Sequence, residues 1–216
     1  MALRKQNFIE GEYYHLYNRG VEKINVFLDD SDYKKFKYLM YVCNTNKSIT
    51  IRDIPKKFER GETIVDIGAF CLMKNHFHLL VKEKKEGGIT LFMRKFLTAY
   101  SMYFNKKYKR NGKLWQGVFK SSHLNNDNYL KYIYSYIHLN PAKYINKNWK
   151  TDLKRNNSEI FEFVRNYKYS SLPIYLRLVK GYDQSVLNES AFPNYFKNSS
   201  EHKKELLEWL SLDPNT

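Results

Sequence analysis

The sequence predicts an α+β fold: a ferredoxin-like or RRM-like antiparallel sheet with helices on one face, plus a C-terminal helical extension. Four segments have the aromatic, apolar or alternating composition of strands, and three longer segments repeat apolar residues at helical spacing. They follow one another as strand, helix, two strands, helix, strand, helix. Because strands that are neighbours in sequence usually pair antiparallel, this order favours a single sheet.

The first half of the chain contains three of the strands. "EYYHLYNRG" (12–20) is aromatic, partly alternating and ends in a turn signal. A helix follows the acidic caps of 29–32, because Phe36, Leu39 and Met40 recur at helical spacing. "TIVDIGAFCLMKN" (63–75) and "HFHLLVKE" (76–83) then indicate two strands, with the break near Lys74-Asn75.

The second half begins with a turn at "EGGIT" (86–90) and a long basic helix over 91–112, which Asn111-Gly112 should end. "LWQGVFKSSHL" (114–124) should be extended. The segment 127–140 is a predicted helix stopped by Pro141. A final helix is expected over 199–212, with Ser200 in a capping position. These elements favour one domain over residues 1–180 and a helical tail over 181–216.

The charge balance points to a polyanionic partner. The 216 residues carry a net charge of +15, with a pI of about 9.6, and 43% of them are hydrophobic. Nucleic acid is the leading candidate and an anionic membrane surface the second. The 19 tyrosines and 14 phenylalanines suit unpaired bases, which stack on rings while lysine and arginine hold phosphates. Aromatic residues also fill cores, so composition alone leaves this open.

The cysteines and the hydropathy favour a cytoplasmic protein, and a nucleic-acid partner there would be the DNA of the nucleoid. Cys43 and Cys71 form neither a zinc-type spacing nor a disulfide framework, which suits a reducing compartment. We expect no signal peptide, because the first twenty residues lack a long apolar run. No segment approaches the ~20 apolar residues of a membrane helix, so no membrane partner is predicted.

The segment His76-Phe77-His78 carries the first chemical signal. Side chains alternate along a strand, so both imidazoles point to one face and Phe77 points to the other. Two neutral imidazoles at this spacing can bind one divalent ion. Two ligands do not make a site, however, and a pair of ordinary half-buried histidines is the commoner meaning of this pattern.

The helix before Pro141 supplies partners for such a site. Tyr136 and Asn140 are four residues apart and share a helix face, with Tyr132 one turn earlier. An amide oxygen is a hard ligand that suits Mg²⁺ or Mn²⁺. Tyr136 taken by itself is more consistent with a packing role, since the helix also contains Tyr129, Tyr132 and Tyr134.

These residues together resemble a known family. "NHFHLLV" is followed by "LFMRKFLTAYSMYFNKKYKRNGKLWQGVFKS" and then by "YLKYIYSYIHLNPAK", and "YHLYNRG" precedes them. "YKYSSLPIYL" (167–176) completes the order. The combination resembles the single-tyrosine HUH transposases, and within them the REP-associated tyrosine transposases. The resemblance covers roughly residues 10–180. Each motif alone is a weak signal, but the combination of the motifs in this order is highly specific.

The resemblance implies a reaction and a set of roles. Tyr136 falls on the nucleophile, and His76, His78 and Asn140 fall on the ligands of a divalent metal, Mg²⁺ or Mn²⁺. The enzyme would cleave and rejoin single-stranded DNA near a hairpin through a 5′-phosphotyrosine, as a monomer or a homodimer. Because the covalent link conserves the phosphodiester energy, no external energy source would be needed.

Basic and aromatic residues should bind the DNA. The predicted contacts are Asn18, Arg19, Arg94, Lys95, Lys106, Lys107, Arg110, Lys113, Trp115 and Lys120. For each lysine or arginine a solvated surface position is the alternative, and for Trp115 core packing is. A non-catalytic RRM-like protein that binds single strands by stacking is the alternative function. A nuclease that uses water would usually bring carboxylate ligands, and Glu83, the nearest acidic residue after the pair, is poorly placed.

Overall fold

The computed structural model describes residues 7–48, 58–152, 154–179 and 185–211. Its centre is a four-stranded sheet in the order β2-β3-β1-β4, and every neighbouring pair is antiparallel. The elements in chain order are β1 (Tyr13–Arg19), α1 (Asp30–Val42), β2 (Val65–Met73), β3 (His76–Glu83), α2 (Gly88–Lys107), β4 (Lys120–His123) and α3 (Asp127–Leu139). This is the predicted ferredoxin-like order, and the fold class is confirmed.

The helix ends follow local chemistry. Asp29 caps α1 in a reciprocal capping box with Asp32, whose carboxylate accepts from the Asp29 backbone N–H. Helix α2 ends at Lys107, four residues before the predicted Asn111 stop. Lys109 takes a left-handed conformation (φ 49°) and the Arg110 N–H donates to the Asn105 carbonyl, so the chain leaves the helix before Gly112.

Helices cover both faces of the sheet. Phe77 points to one face, where α1 and α2 pack and its ring lies 5.2 Å from that of Phe36. On the opposite face, α3 packs Ile133 and Ile137 beside Leu80. The expectation of helices on a single face therefore holds for α1 and α2 only. All nine residues of β2 are buried, so both surfaces of this part of the sheet require cover.

The edge strand β2 is protected by a later segment of the chain. The Leu72 N–H donates to the Tyr169 carbonyl and the Ser171 N–H donates to the Phe70 carbonyl, each at 2.9 Å. These bonds satisfy backbone N–H and C=O groups at the edge of the sheet, which could otherwise pair with another chain. The motif "YKYSS" thus has a structural role as an edge cover.

Three further helices, α4 (Asn157–Arg165), α5 (Leu172–Tyr175) and α6 (Ser199–Ser211), form a separate hydrophobic cluster. Helix α4 was not predicted, although its buried residues Ile160, Phe161 and Val164 recur at helical spacing. Asn198 caps α6 by accepting from the Glu201 N–H, so the expected cap at Ser200 is wrong by two positions. Residues 180–184 lie outside the described ranges, and the domain division at residue 180 stays a prediction.

Helix α6 packs against α3. Lys131 forms a 2.7 Å ion pair with Glu205, and the Trp209 ring lies 4.8 Å from that of Tyr132. The tail therefore supports the helix that carries Tyr136. Across the described ranges, no helix is both long and apolar enough to cross a membrane.

Candidate active site

Strand β3 presents the two histidines side by side. Their ring centroids are 5.1 Å apart, on the sheet face opposite to Phe77. Phe77 is fully buried and its ring lies 5.4 Å from that of Trp115, so core packing fixes the strand between the two imidazoles. The predicted alternation of His76, Phe77 and His78 is confirmed.

Each imidazole is oriented through its Nδ1 atom. The Nδ1 of His76 lies 2.6 Å from the Asn75 Oδ1, and the Asn75 amide nitrogen donates to the Lys23 carbonyl at 3.2 Å. That second bond fixes which amide atom is the oxygen, so His76 must donate from Nδ1 and keep its lone pair on Nε2. The Nδ1 of His78 lies 2.9 Å from the Nε2 of His15, a residue of β1.

Burial keeps the imidazoles neutral. It lowers the pKa of His76 to about 4 and that of His15 to about 4, and it lowers the pKa of His78 well below its ordinary value. The neutral form is the one that binds metal ions. At neutral pH these side chains are therefore already in the protonation state that ligation requires.

The same burial predicts a protein that loses stability in acid. Five histidines have pKa values lowered by burial: His15, His76, His78, His138 and His202. Between pH 6.5 and about 4 the unfolded chain binds more protons than the folded one. The free energy of unfolding therefore contains the full contribution of these histidines above pH 6.5 and decreases as the pH falls below it. Each imidazole contributes a slope of at most about 1.4 kcal/mol per pH unit. Urea midpoints measured at pH 7.5, 6.5 and 5.5 should decrease in that order, and equal midpoints would contradict the burial.

Helix α3 brings Tyr136 to this face. Its ring centroid lies 5.5 Å from that of His78 and 5.6 Å from that of His15, both in edge-to-face contact. Burial raises the pKa of the Tyr136 phenol, and a hydrogen bond from Asn140 opposes the rise. The Lys150 ammonium lies 4.9 Å from the ring centroid, where it favours negative charge on the phenol.

Asn140 lies at the end of α3 and is 2% exposed. Its amide nitrogen donates to the Tyr136 carbonyl at 2.9 Å, and its Oδ1 accepts from Lys143 at 3.3 Å. The predicted amide ligand thus lies close to Tyr136, the predicted nucleophile, and its oxygen accepts a hydrogen bond from a lysine.

A cavity of about 240 Å³ joins the two histidines and Tyr136. Its lining consists of Tyr17, Asn18, Arg19, His76, His78, Gln116, Lys120, Tyr136 and Lys143. A neighbouring cavity of about 290 Å³ shares Tyr17, His78 and Tyr136 and is also lined by His15. One chain therefore brings both histidines and the tyrosine to one opening, surrounded by three cations.

A larger cavity of about 780 Å³ lies between α1 and the segment that follows α4. It contains Lys34 and Lys168, but Asp30 forms ion pairs with both of them. None of the described residues that line this cavity is a histidine or a cysteine. The candidate reactive side chains, His76, His78 and Tyr136, therefore line the smaller cavity of about 240 Å³ and not this one.

Three of the ten predicted DNA contacts line the histidine cavity. Arg19 and Lys120 are exposed at the ends of β1 and β4. Asn18 is 4% exposed, and its amide donates to the Gly117 carbonyl at 3.3 Å, so it supports the cavity wall. Lys143 joins them at the cavity, although no motif in the sequence singled it out.

The other seven lie on or after α2, and three of them have structural roles. Trp115 is 7% exposed, with its ring 6.0 Å from that of Tyr100 in the core, which leaves little surface for a base and corrects the stacking prediction. Lys95 donates to two backbone carbonyls. Lys107 pairs with Asp29 and the fully buried Asp32, so its charge is neutralised. Arg94, Lys106, Arg110 and Lys113 lie outside the cavity lining, and their DNA contacts stay predictions.

The predicted metal ligands fit a divalent ion through their imidazoles. His76 and His78 are neutral, each has its Nδ1 in a hydrogen bond, and such bonds to the second nitrogen are the usual support of metal-binding histidines. Within the described ranges, no group of three or more His, Cys, Asp or Glu side chains is arranged to hold a metal. A third ligand would come from another residue type, from the substrate or from water, and Asn140, the predicted one, is not among the residues that line the histidine cavity.

Fold and site together define a single-tyrosine transposase: a ferredoxin-like sheet with two histidines on one strand and a tyrosine on a helix across the same face. The chain belongs to the family of IS200-like transposases, whose sequence profile matches residues 12–140. Membership implies DNA cleavage and strand transfer in general.

The structure agrees with this assignment. It is similar to a solved structure described as a REP-associated tyrosine transposase bound to a REP hairpin, with a TM-score of 0.53 and 15% identity. The similarity covers 91% of this chain and 100% of the other, and at this identity it shows the fold. No curated protein matches the chain.

Proposed function

We propose that this protein is a metal-dependent single-strand DNA transposase that cleaves and rejoins DNA near hairpins through a phosphotyrosine at Tyr136. The observation that carries the proposal is the position of Tyr136, whose ring lies 5.5 Å from that of His78 at the cavity shared with His76. Because all three residues come from one chain, a monomer can hold a complete site.

The cations around the cavity would bind the backbone of the strand. Arg19, Lys120 and Lys143 lie on different elements, so they surround the opening rather than form one row. Arginine suits a bidentate contact with phosphate oxygens, and the lysines act as point charges. This arrangement would place the scissile phosphate between the histidines and Tyr136.

The Tyr136 phenol needs assistance to react. Burial raises its pKa, so few molecules are ionised at neutral pH. Lys150 over the ring and Asn140 beside it favour the phenolate. A divalent ion held by His76 and His78, with Asn140 as the proposed third ligand, would supply Lewis-acid polarisation of the phosphate.

The reaction exchanges one phosphodiester for another. The Tyr136 hydroxyl releases its proton and its oxygen forms a bond to phosphorus, while the bond from phosphorus to the 3′ oxygen breaks. The 3′ oxygen takes up a proton and leaves as a hydroxyl, so no proton is gained or lost overall. The downstream strand stays on the protein through its 5′ phosphate. Attack by another 3′-hydroxyl reverses the step and frees the tyrosine, so joining consumes no cofactor.

A hairpin substrate is proposed from two observations. The net charge of +15 fits a nucleic acid. The structural neighbour was determined with a REP hairpin. The cut is proposed to fall in single-stranded DNA beside the stem, where an unpaired strand can reach the cavity that His76, His78 and Tyr136 line.

The test uses hairpin oligonucleotides with single-stranded flanks, labelled at either end and incubated with the full chain and Mg²⁺ or Mn²⁺. We expect an adduct that survives denaturation and carries the 3′ label, while the 5′-labelled fragment is released with a free 3′-hydroxyl. Sequencing the attached DNA would give the target. Binding without an adduct would instead support the alternative of a non-catalytic single-strand binding protein.

A further inference from the structure

We propose that His15 is a positioning residue that fixes the tautomer of His78. The inference rests on the proposed function, since it concerns the ligand strand of the same site. His15 lies on β1, and its Nε2 is 2.9 Å from the Nδ1 of His78. The two rings are stacked, with centroids 5.0 Å apart and planes inclined by 20°.

The register of the sheet produces this contact. Tyr17 lies directly opposite His78, and His15 is the same-face neighbour two residues away along β1. Diagonal pairs of this kind lie within reach of ring side chains. His15 is also stacked on Tyr17 at 5.1 Å and meets the Tyr136 ring edge-to-face at 5.6 Å. It therefore touches both the ligand and the proposed nucleophile.

A neutral pair of imidazoles can share one proton in two ways. Either His78 donates from Nδ1 to the Nε2 of His15, or His15 donates from Nε2 to the Nδ1 of His78. Only the first arrangement leaves a lone pair on the Nε2 of His78, the nitrogen free to bind a metal ion. His15 would then accept with Nε2 and keep its own proton on Nδ1.

His76 provides an independent parallel. Its Nδ1 donates to the Asn75 amide oxygen, and the Lys23 carbonyl fixes that amide. Both imidazoles of the pair therefore have a partner at Nδ1, although the partners come from different elements. A polar side chain is costly to bury at position 15, which is only 6% exposed, unless it forms a hydrogen bond. The hydrogen bond that His15 accepts from His78 in this proposal would explain why position 15 is a histidine.

The direct test is the tautomer itself. Nitrogen-15 NMR of the full chain with labelled histidine, without metal, should show the proton of both His78 and His15 on Nδ1. A proton on the Nε2 of His78 in the wild-type protein would overturn the proposal. This measurement needs no variant and no DNA.

A matched pair of variants tests the consequence. His15→Phe keeps a flat ring but removes the acceptor, and His15→Gln places an amide group where Nε2 lies. By calorimetry, His15→Phe should bind Mn²⁺ about 10- to 100-fold more weakly than the wild type, as is typical for loss of such a supporting bond. His15→Gln should remain close to the wild type, and hairpin affinity measured in EDTA should not change in either variant.

The outcomes separate this inference from the proposed function. Equal Mn²⁺ affinity in the wild type and in His15→Phe would refute the positioning role even if DNA is cleaved. Loss of Mn²⁺ binding in His15→Phe, without any adduct in the wild type, would leave the positioning role intact and refute the proposed reaction. If His15→Phe does not fold, the tautomer of His78 in the wild-type protein still decides.

Discussion

Replacing Tyr136 with phenylalanine should abolish the covalent adduct and reduce cleavage by about 10⁴- to 10⁶-fold, as removal of a catalytic nucleophile does in other enzymes. The substitution removes one oxygen and keeps the ring that packs against His15 and His78. Folding and hairpin affinity should therefore be preserved. The measurement is a denaturing gel of a labelled hairpin under single-turnover conditions.

Tyr132→Phe is the matched control. Tyr132 lies one turn earlier on the same helix face, and its ring is 5.9 Å from that of Tyr136. It contacts Trp209 of α6 and the Lys150 ammonium, so its surroundings are otherwise similar. This variant should form the adduct as the wild type does. If Tyr136→Phe still forms it, or if Tyr132→Phe alone loses it, the nucleophile has been assigned to the wrong residue.

Replacing His76 with alanine should reduce cleavage by on the order of 10³-fold, which corresponds to several kcal/mol of lost charge stabilisation at the phosphate. Hairpin affinity in EDTA should change little, because Arg19, Lys120 and Lys143 remain around the cavity. Mn²⁺ affinity should fall with cleavage. Calorimetry measures the Mn²⁺ affinity, and fluorescence anisotropy measures the hairpin affinity.

His123→Ala controls for the loss of an imidazole from this sheet. His123 lies on β4, where it contacts Glu12 at 3.0 Å and stacks on Tyr14. It should keep wild-type cleavage and Mn²⁺ binding. A His76→Ala variant that loses hairpin affinity and cleavage together, or that cleaves normally, would show that His76 has a structural role rather than a ligand role.

The position of Tyr136 relative to the histidines bears on how the enzyme assembles. In this structure the tyrosine helix packs on the sheet of its own chain through Ile133 and Ile137, and α6 supports it from the other side. A site of this kind does not require a partner to supply the nucleophile. The proposed reaction is therefore compatible with a monomer on one hairpin.

Several site residues could be predicted from the sequence because their relationship is local. The alternation of His76, Phe77 and His78 follows from strand geometry, and the spacing of Tyr136 and Asn140 follows from the helical repeat. The assignment of these residues to one reaction came from their resemblance to a family. His15 and Lys143 were missed, because nothing within β1 or the segment after α3 shows what lies opposite.

Two predicted DNA contacts, Lys107 and Trp115, have other partners in the structure for the same reason. Lys107 was expected to bind phosphate and Trp115 to stack on a base, as their type and neighbours suggest. In the structure, Lys107 meets Asp29 and Asp32, more than seventy residues earlier in the chain, and Trp115 packs beside Phe77. Local sequence cannot show whether a cation is already paired or a ring already covered.

The sequence by itself determined the type and order of the elements through β4 and α3, the shared face of His76 and His78, and the charge that favours DNA. Each depends on periodicity or composition within a segment. Only the tertiary structure decided that α3 lies on the histidine face, that His15 meets His78, and which cations surround the cavity. Those features depend on strand register and on the packing of both sheet faces, which are set by contacts between residues far apart in the chain.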